Sequence, residues 1–389
     1  MIRFILALLT IFLLTTAVAV RASETVSPID TSEIKRGSRN RTEVPRHDFS
    51  SSARDEAAID DSRRLHDEIM QYTIASLQRV RGESRSCSDC YAGGSGSTET
   101  LSRARATAKH VCEERWADYY NTPPMDPRNP GGEKKPLDLR VSLGYMDTDA
   151  NSVVHDILMR QAFVKSVTAK CPTNLLRACG FKENERDGDL FEKEVMGPTG
   201  EMQKVHLRIT ASSYSLLNQK NRDNQFEQFI KSQQAEDSYY GAIKDKADLS
   251  IYVGHARDSG GPDFSPADRK KSDGTIDYTR YRRDKPGIAK LRKAFKEAQG
   301  ATPRMMAFLA CDSTRWENEI QKLAPNSGII LSKTDKIALE IEMAFAYTLI
   351  DSVLWQRCKT EFNRAMNTVV DARPEEKIVP LSVDQFFER

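Results

Sequence analysis

His255 and Cys311 are the two side chains here whose type and setting could support nucleophilic catalysis. A cysteine attacks once a base within hydrogen-bond reach takes its proton, and a nearby N–H can hold the oxyanion that forms. Leu249–Val253 is a short apolar, β-branched and aromatic run, the composition of a buried strand, and it ends in Gly254-His255. A second such run, Met305–Ala310, ends in Cys311, 56 positions after the histidine. Open α/β sheets keep their ligands at the carboxyl ends of their strands. Adjacent strands lie about 4.8 Å apart, so neighbouring strands would deliver the two side chains side by side. Either residue alone reads as an ordinary strand-end residue; the pairing is what points to chemistry.

The elements that must position this pair alternate in type. Leu139–Met146 reads as a strand leading into Asp147-Thr148-Asp149, whose carboxylates are placed to cap a helix over Ala150–Ala169. Asp189–Val195 and Lys204–Ala211 flank Gly197-Pro198-Thr199-Gly200 and read as a hairpin. A helix over Gln225–Gln234 precedes Asp248, the polar stretch Asp258–Tyr281 reads as loop, and Pro286–Gln299 reads as a basic amphipathic helix. Beyond Cys311 come a helix near Thr314–Leu323, a strand at Gly328–Ser332 and a long helical stretch over Ala338–Val369. Its apolar positions are Ile341, Phe345, Leu349, Val353 and Leu354. Strands separated by helices predict an α/β domain with a mostly parallel sheet covered on both faces, in three α/β/α layers. Four parallel strands and the hairpin make about six strands, an ordinary sheet.

The chain has 389 residues, 39% of them hydrophobic, enough for a large core. Its 58 basic and 56 acidic residues leave a net charge of +2, which gives no electrostatic case for nucleic acid or an anionic membrane surface. Met1-Ile2-Arg3, the apolar run Phe4–Val20, and Val20 and Ala22 before Ser23 form the pattern of a secretory signal peptide over residues 1–22. The expected destination is the periplasm or the exterior; left uncleaved, the run would serve as an N-terminal anchor. No other stretch is long and apolar enough to span a bilayer. A polar linker is expected over 23–59, a helical segment over 60–122, a Pro/Gly linker over 123–136 and the α/β domain over 137–389. Asn121–Pro136, with five prolines and two glycines, marks the main boundary.

An exported chain can keep disulfides, and its seven cysteines leave an odd one, for which Cys311 is the expected thiol. Cys112 is placed to tie back to the Cys87/Cys90 loop, and Cys171–Cys179 is expected to close a short bridge. Cys87 and Cys90 lack the second CxxC pair that a four-ligand metal site needs, so neither metal nor cofactor is expected.

Competing chemistry is weaker. Asp258-Ser259-Gly260-Gly261-Pro262 matches the nucleophile segment of trypsin-like serine proteases, but no histidine lies upstream in the context those enzymes require. A flexible glycine-rich loop beside His255 is the plainer account. His206 falls inside a predicted strand, and His110 and His155 lie on predicted helices with no partner at metal-ligand spacing. Asp147 and Asp149 could serve as a metal or acid/base pair, but capping explains them more simply. Asp263, Asp268, Asp277 or the run Arg280-Tyr281-Arg282-Arg283 could line a charged specificity pocket, with a solvated loop as the ordinary reading.

Gly254-His255 after one strand and Ala310-Cys311 after the next resemble the caspase-like cysteine peptidases, a superfamily that includes caspases, legumains, gingipains and separase. The spacing is compatible with the roughly 50 residues between histidine and cysteine in caspases. The resemblance covers Leu137 to Ser332. It implies a caspase-like fold, a peptide or protein substrate, His255 as base and Cys311 as nucleophile. It also implies that the backbone N–H groups of Ala256 and Cys311 hold the oxyanion. Two positions depart from the pattern: Ala256 stands where glycine is usual, and Asp312 puts a carboxylate beside the thiol, which opposes thiolate formation. The function expected is that of an exported cysteine peptidase; the alternative is an inactive caspase-like binding or scaffold protein of the cell envelope.

Overall fold

Eight strands form one sheet in the order β2-β3-β4-β1-β5-β6-β7-β8. The computed structural model describes residues 60, 64, 135–147, 153–171, 176–196, 202–333, 339–355, 359–370 and 378–381. The signal peptide, the polar linker, nearly all of the helical segment with its Cys87/Cys90/Cys112 staple, and most of the Pro/Gly linker lie outside these residues. So do Asp149, His110 and Cys358. Among the described residues no helix is long and apolar enough to cross a membrane.

Five strands are parallel: β4 (Met202–Ala211), β1 (Leu137–Leu143), β5 (Leu249–Val253), β6 (Met305–Leu309) and β7 (Gly328–Ser332). The predicted hairpin is present as β3 (Asp187–Met196) and β4. Its second strand also pairs in parallel with β1, which adds a fifth member to the four expected. Two strands had no sequence counterpart: β2 (Lys182–Asn184), antiparallel to β3, and β8 (Ile378–Leu381), antiparallel to β7.

Residues of β5, β6 and β7 are buried on both sides, as their largely apolar runs require, and Ser250 and Ser332 are buried with them. Alternate side chains enter two clusters. Leu249, Ile251, Val253, Met305, Ala307, Leu309 and Ile330 pack with α1 (Asp156–Thr168), α7 (Leu339–Trp355) and α8 (Lys359–Val370). Tyr252, Met306, Phe308, Ala310, Ile329 and Leu331 pack with α3 (Gln225–Lys244), α5 (Pro286–Glu297) and α6 (Glu317–Leu323). The sheet is therefore covered by helices on both faces. Each fully buried Leu, Ile, Val or Phe contributes about 1.5–3 kcal/mol, so these layers hold the strand ends rigidly.

Three boundaries moved. The long C-terminal helical stretch is two helices, α7 and α8, and all five of its expected apolar positions are buried. The helix predicted from Ala150 begins at Asp156, with His155 at its N-cap position and no side-chain cap. Helix α3 runs ten residues past its predicted end at Gln234, to Lys244. Two short α-helices, α2 (Asn218–Asp223) and α4 (Tyr278–Asp284), and a 3-10 turn over Ser313–Trp316 complete the described elements. The expected disulfide joins Cys171 to Cys179. Its loop docks on α7, where the Asp351 carboxylate accepts the amide hydrogens of Arg177 at 2.6 Å and Ala178 at 3.1 Å.

Candidate active site

Strands β5 and β6 pair in register, Leu249 opposite Met305 through Val253 opposite Leu309. His255 and Cys311 each stand two residues beyond the last of these pairs. The Gly254 N–H extends the ladder by one bond, 3.1 Å to the Leu309 carbonyl. Both side chains are partly buried, and Cys311 is a thiol.

A buried phenol shapes the histidine turn. The Tyr252 hydroxyl donates to the His255 carbonyl at 2.8 Å and accepts the Asp263 N–H at 2.9 Å, closing the loop that follows β5. Glycine makes room for it on two sides. A Cβ at Gly144 would lie 2.5 Å from the Tyr252 oxygen, and one at Gly254 would lie 2.8 Å from it. The glycine before His255 thus has a packing reason.

The ring of His255 is held from β1. Its Nε2 lies 2.8 Å from the Asp147 carbonyl oxygen. A carbonyl only accepts, so Nε2 carries the proton and Nδ1 keeps its lone pair. Burial, reinforced by the Arg257 guanidinium and by His155 against the opposing field of Asp147, pushes the imidazole down to about 4. Near neutral pH it is uncharged.

Asp147 itself is fixed from the loop after β5. Its carboxylate pairs with Arg257 Nη2 and accepts the Ala267 N–H at 3.3 Å. Arg257 Nε also donates to Asp263 at 2.9 Å, and the guanidinium lies 5.8 Å from the Tyr281 ring centre. Arg257 is 2% exposed, and its Nη1 finds no hydrogen-bond partner among the described residues. An unsatisfied buried donor costs about 1–3 kcal/mol. The backbone adds a further cost, for Arg257, Asp258 and Ser259 all sit at left-handed φ, +45°, +51° and +73°. Such residues cost of order 1–3 kcal/mol each.

On the cysteine side, Asp312 is also left-handed, at φ +50°, which turns the chain sharply after Cys311. Ser313 pins this turn, donating to the Phe308 carbonyl and accepting the Ser332 N–H, both at 2.8 Å. The Asp312 carboxylate pairs with Arg315, which offsets the negative charge beside the thiol. Arg315 also reaches Asp258 at 3.8 Å, and Asp258 accepts from Arg282. A row of alternating charges, Arg282–Asp258–Arg315–Asp312, therefore links the two loops.

Several expectations are corrected here. Asp147 does not cap α1; its carboxylate is committed to Arg257, 110 residues away in sequence. The loop after β5 is not a flexible tether. The Gly260 carbonyl accepts the Gly287 and Ile288 N–H groups at 2.8 and 3.1 Å and so caps α5. Gly261 at φ +104° and Gly287 cross so closely that a Cβ on either would strike the other's backbone segment. Ser259 is 7% exposed, unlike a serine nucleophile. Asp263 pairs with Arg257, Asp268 accepts from the Tyr281 hydroxyl and from Arg269, and Asp277 caps α4 by accepting the Arg280 N–H. These acids serve the loop itself. His206 lies on β4 at 3.4 Å from Glu192, and His155 occupies the N-cap position of α1.

No family model, curated protein or solved structure matches this chain. Among the described residues no group of three or more His, Cys, Asp or Glu is arranged to hold a metal. Ala256 is 5% exposed. Arg257, Tyr252 and the Asp147 carbonyl were not anticipated as parts of the site. The one sequence signal was a buried-type strand followed by three loop residues and then an arginine, and nothing local says that this arginine turns inward.

Proposed function

We propose that the chain is a cysteine peptidase-like hydrolase of caspase-like type, acting on a peptide or protein outside the cytoplasm. The observation that carries the reading is the register of β5 and β6, which releases a histidine and a cysteine at the same step beyond two neighbouring parallel strands. In the reaction, His255 Nδ1 takes the Cys311 thiol proton as Sγ bonds to the carbonyl carbon. The oxygen of that carbonyl gains negative charge and is met by the Ala256 and Cys311 N–H groups. The imidazolium then gives its proton to the amine as the C–N bond breaks, leaving a thioester that water hydrolyses. An imidazole that is neutral near pH 7 can take the thiol proton during attack, while a value near 4 makes it a weak base and disfavours a resting thiolate–imidazolium pair.

The test is to incubate the full chain with a mixture of unfolded proteins and map new N-termini by mass spectrometry. New termini that vanish in both Cys311→Ala and His255→Ala support the reading. Termini that persist in Cys311→Ala, or none from the wild type, count against it.

A further inference from the structure

We infer that Arg257 is the positioning residue of His255, acting through Asp147. By holding the Asp147 carboxylate it keeps that residue's carbonyl where only an imidazole protonated at Nε2 can bond to it, leaving Nδ1 to face the thiol. The inference rests on reading His255 as the base for Cys311, and it adds the device that sets the base's tautomer.

Four observations converge on it. The His255 ring is hydrogen-bonded to the Asp147 backbone carbonyl, four residues beyond β1, and a carbonyl can swing unless its residue is anchored. The anchor is Arg257, whose Nη2 binds the Asp147 carboxylate and also lies 3.5 Å from the Tyr145 carbonyl, so the strand extension is gripped at two points. The same guanidinium binds Asp263, which the Tyr252 hydroxyl ties to the His255 carbonyl. Arg257 therefore joins both sides of the imidazole: the loop that carries it and the strand that orients it. Finally, the arginine reaches this place through a left-handed backbone and with one buried nitrogen unsatisfied. A residue needed only to fill space would not require a buried, strained charge between two carboxylates, since apolar packing is commonly as stable or more so.

The titratable and charged groups that act on His255 are Asp147, four residues beyond β1, His155 ahead of α1 and Arg257 from its own loop. Losing the Arg257 charge removes one of the influences that keep the ring neutral, so its acid titration moves up from about 4 toward 6.5.

The experiment is long-range nitrogen–proton NMR on the full chain labelled with 15N-histidine, with the His255 signals assigned by a His255→Gln variant. The wild type is expected to show one tautomer near pH 7.5, protonated at Nε2. In Arg257→Gln the ring is expected to populate both tautomers, and its acid midpoint to rise by a unit or more. If Arg257→Gln does not fold, Arg257→Lys carries the test, since an ammonium cannot bridge both carboxylates as the planar fork does. That variant is expected to lose the single tautomer while keeping a low midpoint. A wild type protonated at Nδ1, or a folded variant that retains the single Nε2–H tautomer, overturns the inference. Alkylation of Cys311 is measured on the same samples. A tautomer that depends on Arg257 beside a thiol indifferent to His255 would sustain the inference and sink the peptidase reading. A tautomer indifferent to Arg257 beside a thiol that depends on His255 would do the reverse.

Discussion

The two ends of the central strands bury charge in contrasting ways. At the amino end of β1, β5 and β6, Arg140 binds Asp138 and Asp245, each at 2.7 Å, and Asp248 accepts the Asp138 N–H at 2.8 Å. Arg304 stands 3.7 Å from Asp248. These bonds join neighbouring strands and loops, and one left-handed residue, Lys246, precedes β5. At the carboxyl end three successive left-handed residues follow His255, another follows Cys311, and a buried guanidinium sits between two carboxylates. Burial drives both ends toward neutral forms, raising Asp248 to about 7 and lowering His255 to about 4. A neutral carboxyl at the first end remains a hydrogen-bond acceptor for strand pairing. A neutral imidazole keeps a ring-nitrogen lone pair that can accept a proton. Strain and buried charge collect where a side chain must be aimed, and ordinary pairing suffices where strands must merely be joined.

The largest expected effect breaks the carboxyl end. Gly144→Ala forces a methyl group against the Tyr252 oxygen and the Asp263 carbonyl, and is expected to cost about 2–4 kcal/mol in urea unfolding. It should slow Cys311 alkylation as well, because the loop that carries His255 must shift.

The next effect separates the ends by pH. His255 is lowered in the folded chain, from 6.5 to about 4, so its contribution is complete above pH 6.5 and is lost as pH falls toward 4. Asp248 is raised from 3.8 to about 7, so its contribution is complete below 3.8 and is lost as pH rises toward 7. Between 4 and 6.5 the two slopes oppose each other, each about 1.4 kcal/mol per pH unit. Urea unfolding of Asp248→Asn is expected to show stability falling with acid across this window. His255→Gln is expected to show the opposite slope. Parallel profiles for the two variants would erase the distinction between the ends.

At pH 7, where burial already opposes the ionised carboxylate, Asp248→Asn keeps an amide oxygen to accept the Asp138 N–H and is expected to hold or raise stability, and to leave Cys311 reactivity unchanged. The smallest effect is that of Arg315→Ala. The row of charges it breaks is partly exposed, so the expected loss is about 0.5 kcal/mol or less and shrinks with added salt. Alkylation of Cys311 should slow a few-fold, since Asp312 then faces the thiol without its partner.

The sequence disclosed the sheet's centre more readily than its neighbours or its site. Leu249–Val253, Met305–Leu309 and Gly328–Ser332 are buried on both faces, so each reads as a short, largely apolar run. The hairpin was visible from its turn residues, yet the parallel pairing of its second strand with β1 was not, because an alternating pattern names a strand and not its partner. Lys182–Asn184 and Ile378–Leu381 are too short, and the second contains a proline, to announce themselves. His255 and Cys311 were legible as strand-end residues of unusual type. Asp147 was misread as a cap because its true partner lies 110 residues away, and Gly261 was misread as slack because its reason is the backbone of Gly287.

The central claim, that His255 and Cys311 work as a pair, is tested most directly by alkylating the folded, unreduced full chain with iodoacetamide near neutral pH and locating the modified cysteine by mass spectrometry. Labelling of Cys311 that slows by about tenfold or more in His255→Ala is the predicted result. No labelling of Cys311, or labelling at the same rate with and without His255, would contradict it.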